Sequence, residues 1–460
     1  MRLDINSSIL IFGGSGTIGS STALHLARKG YRNIRVLDVY PIPSAQSAGN
    51  DLNKIMGTSL RNPVDRQLSL EAEDAWSNDP TFSPYYHRSG RLLDCCGSSD
   101  GINDLRDTVA KLEDAGLGHT VEWLDAEAQI IQRVPQLTGS NIQGWKGIFF
   151  ERGGWLTAAK AIDSVGRELI QHGVQFSFGD SGTFQSLILS DDGKTCSGAV
   201  TKDGTRYLAD RVVLASGAWT PSLVELEDQC CSKAWVYAHM QLTPEEVKEY
   251  IGCPVVYNED IGFFFEPNED GIIKVCDEFP GFTRYKMHQP FGASKPTLVS
   301  IPRSHARHPT DTYPNASEIT IRKAIAAFLP NFKDKELFNR AMCWCADTAD
   351  ANLLVCEHPR WKGCFVATGD SGHSFKLLPI IGKHVVELLE GTLQEDLREA
   401  WRWRPGSGDA RKSTRAALAK DLADLPGWKH DSVDTEKGDS DHGVPWQAEH
   451  LGNVLEPLSF

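Results

Sequence analysis

The sequence predicts an α/β fold in which a Rossmann-like dinucleotide-binding domain is joined to an α+β substrate domain built on a mixed sheet. Three observations carry that expectation. An apolar run, the turn Gly14-x-Gly16-x-x-Gly19 and a helical repeat open the chain. A second strand, glycine-rich turn and helix recur in its last third, and strand-like runs dominate residues 234–302 between them. At 460 residues the chain is too long for one ordinary core and suits two interlocked domains.

Taken in order, Ser8–Phe12 is a compact apolar run, and Ala23, Leu24, Leu26 and Ala27 recur at helical spacing over residues 21–29. Gly30 stops that helix, and residues 34–37 form a second strand that ends at Asp38. The missing side chains of Gly14, Gly16 and Gly19 let the turn close and let backbone N–H groups approach a pyrophosphate. The helix N-terminus, through Thr17 and Ile18, then faces negative charge. Asp38 is placed to accept hydrogen bonds from a ribose, which counts against the 2′-phosphate of NADP; NAD and FAD both remain open.

Residues 44–54 are small and polar, as a loop wrapping a cofactor would be, and Ser44 opens it. A strand over 174–178, a hairpin from 196–200 and Tyr207, and a buried strand from 211 into a small-residue turn at 216–219 follow. Further strands are expected at 235–240, 263–265, 272–278 and 298–301. In the third of these, alternation puts Lys274, Cys276 and Glu278 on one face and Ile273, Val275 and Asp277 on the other. Taken alone, that lysine and glutamate read as a surface ion pair, worth little to stability. A helix over 319–328, strands at 353–356 and 364–368, a turn from Gly369 to Lys376 and a helix over 381–389 complete the pattern.

The expected division gives residues 1–90, 150–230 and 340–400 to a discontinuous dinucleotide domain, and 91–149 and 231–339 to the substrate domain. Residues 401–430 form an arm and 431–460 a solvated acidic tail.

The net charge of −14 argues against nucleic-acid and anionic-membrane partners, and no apolar run approaches the length of a membrane span. The first residues lack the apolar core of a secretory signal. Eleven cysteines, an odd number without small-scaffold spacing, point to reduced thiols in an intracellular compartment, at least one of them chemically special. A zinc site from Cys343, Cys345, Cys356, His358 and Cys364 is disfavoured, because C-x-C followed by C-x-H is not the usual pair of knuckles.

Residues 14–26, 44–54, 274–282, 343–350 and 369–379, with 401–406 and 420–428, resemble the fungal fructosyl amino acid and fructosyl peptide oxidases, or amadoriases, relatives of monomeric sarcosine oxidase. The likeness runs from about residue 9 to 430, and the last two stretches resemble the peptide-oxidising branch. It implies a D-amino acid oxidase/sarcosine oxidase-like fold and an FAD bound covalently through its 8α carbon to Cys343, the first cysteine of Cys343-Trp344-Cys345. It implies that Lys54 lies near the flavin, that Lys274 promotes reaction with oxygen and that Glu278 contacts the fructosyl group. Asp370, Gly372 and Phe375 belong to a turn matching contacts to the flavin ring, and Lys376 approaches both substrate and flavin. Arg61, expected on the same helix as Lys54, could hold a substrate carboxylate in a bidentate pair; a surface arginine is the plain alternative. His373 reads as structural.

The activity so implied is oxidation of the C–N bond of a fructosyl amino acid or short peptide by a monomer, with molecular oxygen as acceptor and hydrogen peroxide as product. A sarcosine-type oxidase is the nearest rival; a nicotinamide dehydrogenase and a non-catalytic flavin-binding module are more distant. Many relatives end in a peroxisomal tripeptide, whereas this sequence ends Leu458-Ser459-Phe460, so cytoplasm and peroxisome both stand.

Overall fold

The computed structural model describes residues 3–277, 281–308, 312–412, 418–426 and 428. Glu278 and the acidic tail at 431–460 therefore lie outside the described residues.

Six strands form the first sheet, in the order Leu354–Glu357, Cys364–Thr368, Arg211–Leu214, Ser8–Phe12, Asn33–Leu37 and Gln175–Ser177. All neighbours are parallel except the first pair. Both faces of this sheet are covered, which is why its central strands read as unbroken apolar runs. Ile9, Ile11, Val36, Val213 and Phe365 pack on one side with the helices Thr17–Arg28, Ala158–Gln171 and Ile381–Glu390. Leu10, Phe12, Val212 and Val366 pack on the other against the hairpin Cys196–Thr201 and Arg206–Leu208.

The last third of the chain returns to the first helix through a close backbone crossing. Ser21 Oγ donates to the carbonyl oxygen of Leu378 at 2.6 Å and accepts from the Gly382 N–H at 2.9 Å. A Cβ on Gly382 would stand 2.0 Å from the Ser21 carbonyl oxygen, so only glycine allows this approach.

The second sheet has ten strands and is mixed. Its order is Lys420–Asp421, Phe282–Thr283, Cys230–Gln241, Ile272–Asp277, Gly262–Phe264, Val255–Asn258, Arg91–Cys95, Lys146–Phe150 and Val121–Leu124, with Phe338–Thr348 pairing along Cys230–Gln241. The helix Asn315–Phe328 covers it through Ile321, Ala324, Ile325 and Phe328. A three-stranded sheet of Lys54–Met56, Gly154–Leu156 and Tyr86–His87 stands beside these two.

Two local expectations are corrected. The first helix begins at Thr17, four residues before its apolar repeat, because the glycine turn itself passes into helix. Lys54 and Arg61 do not share a helix. Lys54 starts a strand, and Arg61 precedes the helix Pro63–Asn78, whose start is set by the Asn62 side chain accepting from the Asp65 N–H and by proline in the first turn.

Candidate active site

The glycine turn is closed so tightly that side chains are excluded from it. Gly13 has φ of +72°, and a Cβ there would lie 2.5 Å from the Ala215 carbonyl oxygen. One on Gly14 would meet Val36 Cγ1 at 2.7 Å, and one on Gly19 the Gly13 carbonyl oxygen at 2.5 Å. The helix that follows is capped by Gly16, which has no side chain to offer, and its first turn holds no acid. Its terminal N–H groups are therefore left for an anion. Asp38 is buried and accepts from the Ser15 N–H at 3.2 Å, the Tyr40 N–H at 3.2 Å and the Ser44 hydroxyl at 2.8 Å. Burial pushes its carboxyl up to about 6 despite those bonds.

A cleft starts at this turn. Gly16, Thr17, Ile18, Asp38, Ser44, Lys54, Cys345, Asp370, Gly372 and Phe375 all line it. A lining that joins the glycine turn and Asp38 to Cys345 and Gly372 suits an extended dinucleotide. Asp370 is half-buried, and its carboxylate accepts from the Ala346 N–H at 2.8 Å.

Beside the cleft, one carboxylate serves two lysines. Asp51 Oδ2 accepts from Lys54 Nζ at 2.6 Å and from Lys274 Nζ at 2.5 Å. Lys274 is only 3% exposed, donates a second bond to the Asn53 carbonyl oxygen at 3.2 Å and lies 4.9 Å from the Tyr237 ring centre. It is no surface partner of a carboxylate. Burial works to raise the Asp51 carboxyl, but Lys274 and Lys54 outweigh it and hold the group well below the carboxylate range. Burial likewise works against the Lys54 ammonium, yet Asp51 and Cys343 hold it well above the ordinary lysine range.

Lys54 Nζ also approaches Cys343 Sγ at 3.7 Å. Cys343 and Cys345 project from the same face of the strand Phe338–Thr348, two residues apart. The hydrogen bond from Cys345 holds the Cys343 thiol below its ordinary range against burial, with Lys54 adding to the effect, and Cys345 is raised well above. A thiolate at Cys343 would have the Lys54 ammonium beside it to answer its charge.

A second group of cations lies further along. Arg61 pairs with Asp65 at 2.6 Å, donates to the Ala351 carbonyl oxygen at 2.9 Å and touches His373 Nε2. Lys376 Nζ donates to the Gly57 carbonyl oxygen at 3.2 Å. Burial, then Arg91 and Arg61, push the Lys376 ammonium down to about 7.

Comparison with known families matches residues 9–388 to one family, described as FAD dependent oxidoreductase. The chain belongs to that family. The crystal structure of fructosyl peptide oxidase from E. terrenum is similar at 62% identity and a TM-score of 0.91, over 94% of this chain and 100% of the other. The deglycating enzyme fructosamine oxidase from Aspergillus fumigatus, Amadoriase II, is similar at 35% identity and a TM-score of 0.81, over 93% of this chain and 98% of the other. L-saccharopine oxidase of Schizosaccharomyces pombe is 32% identical over 86% of this chain and 93% of its own length. The resemblance read from the sequence is thus borne out over nearly the whole chain, and with it the sarcosine oxidase-like fold.

The cradle fits FAD: a turn with no room for a Cβ at Gly13, Gly14 or Gly19, an uncapped helix start for the pyrophosphate, and Asp38, Cys345 and Gly372 within one cleft. Among the sequence-derived residues, the structure groups Lys54, Lys274 and Cys343, and separately Arg61 and Lys376. Glu278 lies outside the described residues. His373 Nδ1 contacts the Ser371 carbonyl oxygen at 3.0 Å, a turn-closing bond. Among the described residues no three His, Cys, Asp or Glu converge on a metal position, and His358 stacks on Trp361 at 4.0 Å. Two charged residues escaped the sequence reading, Asp51 and Arg91. Asp51 sat within the small polar loop at 44–54, three residues before Lys54, and that spacing was its only signal.

Proposed function

We propose that the chain is an FAD-dependent oxidase acting on the C–N bond of fructosyl amino acids or short fructosyl peptides. The products are glucosone, the free amino acid or peptide, and hydrogen peroxide. One observation carries the substrate class: the 62% identity with a fructosyl peptide oxidase over 94% of this chain. FAD, when bound, supplies the acceptor for the hydride equivalent taken from the carbon beside the amine.

The remaining work falls to this chain's own groups. Gly14, Gly16, Gly19 and the helix start hold the pyrophosphate, and Asp38 the ribose. Cys343 would hold the group covalently through its 8α carbon; the lowered thiol and the Lys54 ammonium at 3.7 Å support that reading. Lys274 presents a fixed positive charge, anchored by Asp51, to oxygen as it gains electrons. Lys376 and Arg61 position the substrate carboxylate, and Glu278 the sugar hydroxyls. The substrate amine reacts as the neutral base, and water hydrolyses the resulting imine. The enzyme works as a monomer in the cytoplasm or peroxisome; eleven cysteines without a disulfide support a reducing compartment. Among the described residues, no helix is long and apolar enough to cross a membrane.

Incubation in air with fructosyl-valyl-histidine tests this: peroxide, glucosone and free dipeptide should form in equal amounts. Peroxide from sarcosine but from no fructosyl compound would favour the N-methyl amino acid oxidase reading instead.

A further inference from the structure

Arg91 begins the strand Arg91–Cys95, and its Cζ lies 4.5 Å from the centre of the Phe150 ring. Gly57 makes room for it. A Cβ on Gly57 would stand 2.9 Å from Arg91 Nη1 and 3.1 Å from Cζ. The carbonyl oxygen of that same glycine accepts the Lys376 ammonium at 3.2 Å. Two cationic heads therefore meet across one glycine, and both residues are half-buried.

Neither cation has an anion of its own. Among the described residues Lys376 hydrogen-bonds only the Gly57 carbonyl, Arg91 forms no ion pair, and Arg91 Nε is buried with no acceptor. Arg61 adds a third positive charge nearby, but Asp65 answers it at 2.6 Å. Glu259 and Tyr257 act on Arg91 only at electrostatic range, and Asp65 on Lys376 likewise. Two unpaired, partly desolvated cations side by side are unfavourable by themselves, so the arrangement makes sense where an anion arrives.

The position is suited to the substrate. Lys54, beside Cys343, and Gly57 stand three positions apart on one extended segment, so their Cα atoms lie within about 11 Å. A planar guanidinium beside an ammonium matches a carboxylate, which can accept from the arginine fork and from the lysine together.

Resting on the function proposed above, we infer that Arg91, seated in the space left by Gly57, joins Lys376 in binding the substrate carboxylate. A free carboxylate is thereby part of what the enzyme selects among glycated compounds.

The test compares fructosyl-glycine with its carboxamide on the purified holoenzyme. The parent should favour the carboxylate in kcat/KM by about 10- to 100-fold, the range expected when a charged hydrogen bond is lost. Arg91→Gln should narrow that ratio at least about fivefold, mainly through KM, and Arg91→Lys should recover part of it. The limb of kcat/KM that falls as Lys376 loses its proton should move to higher pH in Arg91→Gln, because one positive neighbour is gone; a limb that stays in place would show that the two cations do not share the site. Gly57→Ala, which displaces the guanidinium without removing it, should narrow the ratio too, and it carries the test if Arg91→Gln does not fold. An unchanged ratio in both variants, or equal use of the two substrates by the parent, would overturn the inference. If the parent oxidises neither compound, the proposed function has failed, and the anion site is judged separately by acetate titration. Acetate should perturb the flavin spectrum of the parent and not of Arg91→Gln; equal response, or none in either, would remove the site.

Discussion

Replacing Lys274 by methionine should separate the two halves of the catalytic cycle. The side chain is 3% exposed and its Nζ holds Asp51 at 2.5 Å and the Asn53 carbonyl at 3.2 Å, so the charge is fixed before oxygen arrives. Removing one preorganised electrostatic donor slows a step that develops charge by about 10²–10³-fold. The substrate-oxidising half creates no anion at this position and should fall far less. The structure also says why the variant should fold. Asp51 keeps Lys54 at 2.6 Å, so Lys274→Met does not strand a buried carboxylate. The loss is the charged hydrogen bonds to Asp51 and to the Asn53 carbonyl, about 1.5–3 kcal/mol each, with no buried charge left unpaired. Methionine can also keep contact with the rings of Tyr237 and Phe265. Stopped-flow mixing of the photoreduced variant with aerated buffer measures reoxidation, and anaerobic mixing with substrate measures reduction. Reoxidation at the parent rate, or equal losses in both halves, would refute the reasoning.

Other outcomes follow from the same geometry. After acid precipitation the yellow colour should stay with the parent polypeptide and with Cys345→Ser but leave Cys343→Ser; colour lost from Cys345→Ser alone would reassign the link. Glu278→Gln should weaken flavin reduction by fructosyl substrates by about 1.5–3 kcal/mol, and unchanged reduction kinetics would remove it from the site. Asp51→Asn should cost about 3–5 kcal/mol in denaturant unfolding at pH 7, since the buried Lys274 and the half-buried Lys54 lose their counter-ion. The folded carboxyl is held below its unfolded value, so this contribution is complete above about pH 4 and is lost as pH falls below it. The gap between parent and variant should close in acid; a gap that widens there would contradict the pairing.

The first βαβ unit was legible because each local signal agreed with the tertiary use made of it. The apolar strand Ser8–Phe12 and the strand Cys364–Thr368 match their expected limits, since strands buried on both faces show as uninterrupted apolar runs. The strand Phe338–Thr348, which carries Cys343 and Cys345, was missed. Its start, Phe338-Asn339-Arg340, is exposed and polar, and its burial is set by pairing with Cys230–Gln241 over a hundred residues away. For the same reason the face of Lys274 was legible from alternation, but its burial was not: the partner Asp51 lies 223 residues upstream. Arg91 left no trace either, because its significance rests on a missing side chain at Gly57 and a lysine at 376, three distant positions that only the fold brings together.

The central claim is that this flavoenzyme oxidises glycated amino compounds, and rapid anaerobic mixing reads it most directly. Fructosyl-valine, fructosyl-lysine, fructosyl-valyl-histidine and sarcosine are each mixed with oxidised holoenzyme while the flavin absorbance is followed. The account predicts fast, complete bleaching by at least one fructosyl compound and slow or no bleaching by sarcosine. Bleaching by sarcosine alone, or by none of the four, would contradict it.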